Sequence, residues 1–204
     1  MPDLRVIDSK PRERGTRERL LRAAMALLET HGYEAASVAA IAERAGVTIA
    51  ALHEHFASKA DLFAELVRVV GEQERVAIQE ATAACTDAAE EIDAVVATFA
   101  GRALTRPRLA RALVHEAVDD VVDAERLAYR RAYTKRLAEF VRGAVDRGEL
   151  PDQDPDLTAA AVIGAIMEAL VGPLAPVAGR NADPDAVVDS LTALCRRAVG
   201  ASAR

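Results

Sequence analysis

The chain has 204 residues, 51% hydrophobic and 28% charged, which fits a soluble globular protein with one large domain or a small domain set on a larger one. Only 3% is aromatic, tryptophan is absent, and Ala, Val and Leu supply the apolar bulk, so the composition points to an all-α fold. The net charge of −6 excludes a uniformly basic nucleic-acid binder. Yet the first 22 residues hold seven basic and four acidic groups, and DNA binding answers to local potential rather than the total. The N-terminal MPDLRVIDSKPRERG lacks the apolar run of a signal peptide. The apolar late stretch TAAAVIGAIMEALVG is short and carries Glu168, so no membrane span and a cytoplasmic location are expected. Cys85 and Cys195 form no motif and read as reduced thiols.

Residues 1–14, polar and with two prolines, read as a flexible basic arm. From Thr16 a helical pattern begins, with Leu20, Ala23, Ala24, Leu27 and Leu28 at three- and four-residue steps, and Gly32 is its expected C-terminal cap. Ser37 is placed to cap a second helix carrying Val38, Ile41 and Ala42 inward, and Gly46 ends it. Thr48 caps a short third helix. Ser58 caps a fourth, with Asp61 completing a capping box.

Longer helices follow over 59–84, with a possible bend at Gly71, and over 88–104. Pro107 suits the first turn of a helix reaching about Val118. Residues 123–147, 156–172 and 184–199 complete the set, about nine helices in total with no strand signal. The organisation expected is a three-helix helix-turn-helix head over 15–58 and a larger helical ligand-binding and dimerisation domain over 59–204.

The spacing inside SVAAIAERAGVTIAALHEHF, residues 37–56, carries the functional reading. Two short helices that cross steeply need a small residue at the crossing, and Ala42 supplies it. The turn needs a residue that tolerates positive φ, and Gly46 supplies that. Ile41, Ala45, Val47 and Leu52 fall where the core needs apolar groups, leaving Thr48, Ile49, Ala50, Ala51 and His53 to face a DNA groove.

TRERLLRAAMALLETHGYEAASVAAIAERAGVTIAALHEHFASKADLFAELV, from Thr16 to Val67, resembles the N-terminal domain of the TetR family of bacterial transcriptional regulators. The remaining helices resemble the family's variable ligand-binding and dimer domain in number, length and the GELPDQDPDL loop. The resemblance implies a homodimer on a roughly palindromic double-stranded DNA operator, most often a repressor released by one small-molecule effector per subunit. It also places Thr16 and Arg17 near a phosphate, gives Ser37 and Thr48 hydroxyls that reach phosphate, and sets Lys59 beside a phosphate at the start of helix four. Where family members often read Lys-Gly-Thr-Leu-Tyr, this chain has Ile49-Ala50-Ala51-Leu52-His53. Base reading then leans on Thr48, on methyl contacts to thymine from Ile49, Ala50 or Ala51, and on His53. Glu54 would repel phosphate if it pointed inward; Lys10, Arg12 and Arg14 would compensate by reaching an adjacent groove, the alternative for the arm being a disordered, solvated tail. The alternative is a helical homodimeric interaction protein of the same fold with lost or weak DNA binding.

His53 and His55, two apart on a helix, do not share a metal, and no cofactor or enzyme motif is visible. Cavity candidates are Phe63, Phe99, Leu113, His115, Glu116, Tyr129, Tyr133 and Met167. His115 reads either as a satisfied histidine on a solvated helix or as a polar anchor for ligand. For the dimer, Ile163, Gly164, Met167, Leu170, Leu191 and Leu194 on the last two helices are expected to form a four-helix bundle across a twofold axis.

Overall fold

In the computed structural model, residues 11–114, 119–175 and 183–201 are described. They form nine helices: α1 (Pro11–Ala35), α2 (Val38–Ala45), α3 (Ile49–His53), α4 (Lys59–Thr82), α5 (Ala88–Thr105), α6 (Pro107–Val114), α7 (Asp120–Asp146), α8 (Pro155–Val171) and α9 (Pro184–Val199). The fold is all-α. Helix α1 starts at Pro11, so residues 11–14 are helical where an arm was expected. Its backbone leaves helical angles at Gly32, with φ 81°.

Local side chains set the helix starts. The hydroxyls of Ser37, Thr48 and Ser58 accept from the amides of Ala40, Ala51 and Asp61 at 3.2, 3.1 and 3.0 Å. Asp87, Asp119, Asp154 and Asp183 do the same for α5, α7, α8 and α9. Each such cap satisfies amides that the first turn leaves unpaired.

Two apolar cores result. The first joins α1, α2, α3 and the start of α4, and extends to Leu109, Ala112 and Leu113 of α6 and Val122 of α7. The second lies among α5, the later part of α7, α8 and α9. Helix α4 begins in the head and continues into the body, where it packs against α5 and α7. It runs unbroken through Gly71, which is buried under the ring of Tyr129. The glycine expected to bend the helix instead lets α7 approach it closely.

On the last two helices, Ile163, Leu170 and Leu191 are buried in the subunit's own second core. Their apolar area is largely covered within the subunit, so little of it is left for a second copy. The large apolar residues exposed on these helices are Leu157, Val171 and Leu194.

Candidate nucleic-acid interface and effector cavity

The turn between α2 and α3 is built around Gly46, at φ 64° and ψ 42°, a left-handed conformation that side chains resist. The Gly46 amide donates to the carbonyls of Ala42 and Glu43, and the Val47 amide donates to Ala42 at 3.0 Å. Arg19 braces the same turn from α1, donating through Nε to the Ala45 carbonyl at 3.0 Å and through Nη2 to Gly46 at 2.9 Å. Ile41, Ala42, Ala45 and Leu52 are buried beneath it, with Val47 packed against them. The outer face of the turn and of α3 then carries Thr48, Ile49, Ala50, His53 and Glu54, all exposed. Ile49 is 48% exposed, an apolar side chain held in water at the tip of the head.

The phosphate candidates divide. Ser37 and Thr48 are exposed caps whose hydroxyls accept from backbone and keep a proton to donate. Thr16 is half-buried on α1. Arg17 is engaged within the fold: it donates to Glu65 Oε1 at 2.7 Å and its guanidinium sits 5.0 Å from the centre of the Phe56 ring. Lys59 donates to the Tyr33 carbonyl at 2.7 Å, with its ammonium 3.8 Å from the centre of that ring. Burial holds its pKa below the ordinary lysine value. Both cations therefore lock the head together, a role that sequence spacing did not reveal.

Beneath the head, α4, α5, α6, α7 and α8 line a half-open cavity of about 950 Å³. Of the expected ligand residues, Phe99, Leu113, Tyr129 and Met167 line it. Gly164, expected at a dimer interface, lines it as well. Phe63 does not: it is buried in the head core, edge-on to Tyr33 with ring centres 4.6 Å apart. Tyr133 stands behind Tyr129, the two hydroxyls 2.7 Å apart, and burial pushes its pKa up to about 12. It lines a smaller pocket against α4. His115 and Glu116 lie outside the described residues.

Charged groups in the wall were not anticipated. Glu74 accepts from Arg102 Nε at 2.6 Å. Arg126 donates to the Leu113 carbonyl at 2.9 Å, closing the end of α6, and pairs with Asp123 at 2.7 Å. Arg130, exposed on α7, reaches over Gly164. The legible signal was spacing: Val67, Val70, Gly71 and Glu74 share one face of α4, so an acid stands at an apolar-face position.

Two short helices joined at a left-handed glycine, the second exposed, mounted on a helical body with a half-open cavity, define a helix-turn-helix regulator with a sensing domain. Residues 20–66 match the family model described as bacterial regulatory proteins, tetR family, and residues 85–170 match that of a tetracyclin repressor-like C-terminal domain. The chain belongs to the TetR family: it is a DNA-binding transcriptional regulator, a class that does not work as enzymes.

No curated protein sequence matches the chain. Among solved structures it is similar to the fatty acid degradation regulator FadR of Bacillus halodurans, at 19% identity and TM-score 0.79 over 93% of this chain and 96% of that one. FadR of Bacillus subtilis, solved with stearoyl-CoA, gives 19% identity and TM-score 0.77 over 91% and 99%. A transcriptional regulator from Rhodococcus sp. Rha1 gives 20% identity and TM-score 0.73 over 92% and 99%. At such identities the likeness is one of fold. Among the described residues, no helix is long and apolar enough to cross a membrane.

Proposed function

We propose that the chain is a cytoplasmic homodimeric repressor that leaves a palindromic operator when an amphipathic small molecule fills the body cavity. The observation that carries this reading is the position of the cavity. Its wall includes Val67, Val70, Gly71 and Glu74 of α4, the helix whose first residues belong to the head core. A ligand that favours one placement of α4 over another therefore biases the head, in proportion to its differential affinity for the two. Leu109 and Leu113 of α6 join the head core and the cavity wall at once, which gives the ligand a second handle on the head.

The lining favours an effector with an apolar body and an anionic end. Val67, Val70, Leu109, Leu113, Phe99 and Met167 supply apolar wall. Arg102, Arg106 and Arg126 are ion-paired with Glu74, Glu29 and Asp123, which leaves Arg130, among the described lining residues, as the cation available to an incoming anion. The volume fits a ligand of substantial size. Stearoyl-CoA, bound in the similar Bacillus subtilis protein, has this character and is the first compound to try.

Selection of binding sites from random duplex DNA tests the regulator reading, and gel shift of the winning sequence with and without stearoyl-CoA tests the release. Enrichment of a palindrome followed by loss of the shifted band supports both steps. A palindrome whose complex ignores stearoyl-CoA leaves repression standing and removes the acyl effector.

A further inference from the structure

The polar floor of the cavity points to a more specific ligand chemistry. Glu74 is on the cavity wall with its side chain only 10% exposed. One carboxyl oxygen, Oε2, accepts from Arg102. The other, Oε1, is buried and has no hydrogen-bond partner among the described residues. The nearby hydroxyls do not reach it: Tyr129 and Tyr133 bond to each other, and Tyr129 also faces the Gly71 carbonyl at 3.3 Å. A buried oxygen without a partner is costly, and folded proteins rarely keep one unless something else supplies the bond. A group on a molecule entering the cavity is the partner at hand.

We propose that the effector carries a hydroxyl on its apolar body and that Glu74 binds it. Charge decides against an ammonium. Arg102 already balances Glu74, so a second cation at Oε1 would stand unpaired in a wall whose described residues already hold four arginines, Arg102, Arg106, Arg126 and Arg130, against three acids, Glu74, Asp123 and Glu168. A hydroxyl is neutral, and it both donates and accepts. It therefore satisfies Oε1 whether the carboxyl is ionised or protonated. Burial raises the pKa of Glu74 against the lowering influence of Arg102. A plain hydrocarbon chain would seal Oε1 without a bond and bind more weakly.

This inference rests on the acyl-effector reading, and titration calorimetry separates the two. Stearoyl-CoA and hydroxystearoyl-CoA isomers, with the hydroxyl near the thioester, at mid-chain or at the chain end, are titrated into the full chain. At least one isomer should bind about tenfold more tightly than stearoyl-CoA, the worth of one buried hydrogen bond. Glu74→Leu should reduce that advantage to within about twofold while stearoyl-CoA binding holds or improves, and Glu74→Gln, which keeps an acceptor and a donor, should retain most of it. Equal binding of all isomers, or an advantage that survives Glu74→Leu, overturns the hydroxyl but leaves an acyl effector. No binding of any of these compounds overturns both. Circular dichroism confirms that each variant is folded before titration.

Discussion

The ring of Tyr129 fills the place that a side chain at Gly71 would take. A methyl group at position 71 would lie 2.1 Å from Cε2 and 2.5 Å from Cδ2 of that ring. Tyr129 is held from its other end by Tyr133, so the ring has little freedom to retreat. Gly71→Ala gains about 1 kcal/mol of helix propensity in α4 but overpacks a seam at a cost of about 1–3 kcal/mol. The expected result is a net loss of stability, read as a lower urea midpoint. In a Tyr129→Ala background the same substitution should become neutral or stabilising, because the obstacle is gone. Equal effects in both backgrounds would show that the ring is not the obstacle.

Lys59 serves the fold, and its expected phosphate contact is open to test. Lys59→Ala removes the donor to the Tyr33 carbonyl and should cost about 1 kcal/mol of stability. It should also weaken binding to every DNA sequence alike and lower the salt dependence by about one phosphate per subunit. Lys59→Met keeps the apolar stem over the Tyr33 ring and should show the same DNA defect with a smaller loss of stability. If the salt slope is unchanged in both variants, Lys59 acts only as a clamp within the head.

Thr48 and Ile49 separate capping from reading. Thr48→Ala removes the cap of α3 and should cost about 1 kcal/mol, while Thr48→Ser keeps it. Ile49 is 48% exposed and lies outside the head core, so Ile49→Ala should leave stability within about 0.5 kcal/mol of the parent. If Ile49 meets a thymine methyl, that variant should bind the selected operator less tightly and nonspecific DNA equally well. Competition gel shifts measure the ratio, and an unchanged ratio removes Ile49 from the reading surface.

The caps explain why the helices were legible. Ser37, Thr48 and Ser58 act within three residues of themselves, so sequence alone reveals them. The cavity was legible only in part. Periodicity says that Phe63 and Phe99 face inward, but not that Phe63 joins the head core while Phe99 meets the cavity. It cannot separate Leu191, spent inside the subunit, from Leu194 on the surface. Charged residues on a helix read as solvated by default, which hid Arg102 and Glu74, two residues 28 apart that only the packing of α4 on α5 brings together.

Glu74 makes stability depend on pH in a definite direction. Burial raises its folded pKa above the ordinary carboxyl value of 4.5, against the lowering influence of Arg102. The folded state then holds a proton that the unfolded chain has released, so stability falls as pH rises from 4.5 through the raised pKa. Glu74→Gln removes this group from the titration. Relative to the parent, the variant should gain stability as pH rises through that window, read as a growing difference in melting temperature. A difference that stays flat, or shrinks with pH, would show that Arg102 rather than burial governs the carboxyl.

A palindromic operator demands two recognition helices about 34–36 Å apart, so a twofold interface must hold two heads at that distance. Leu157, Val171 and Leu194 are 68%, 43% and 40% exposed on α8 and α9, while the subunit's own core takes Ile163, Leu170 and Leu191. If a second copy covers them, Leu194→Glu places an unpaired charge in an apolar interface at a cost of several kcal/mol, while the separated subunit keeps its core. Leu194→Glu should therefore sediment as a folded monomer with weak operator binding. Leu191→Glu buries its charge within the subunit and should lose helical content instead. The contrast between the two locates the interface. A Leu194→Glu protein that remains a dimer at micromolar concentration would place the twofold axis away from this face.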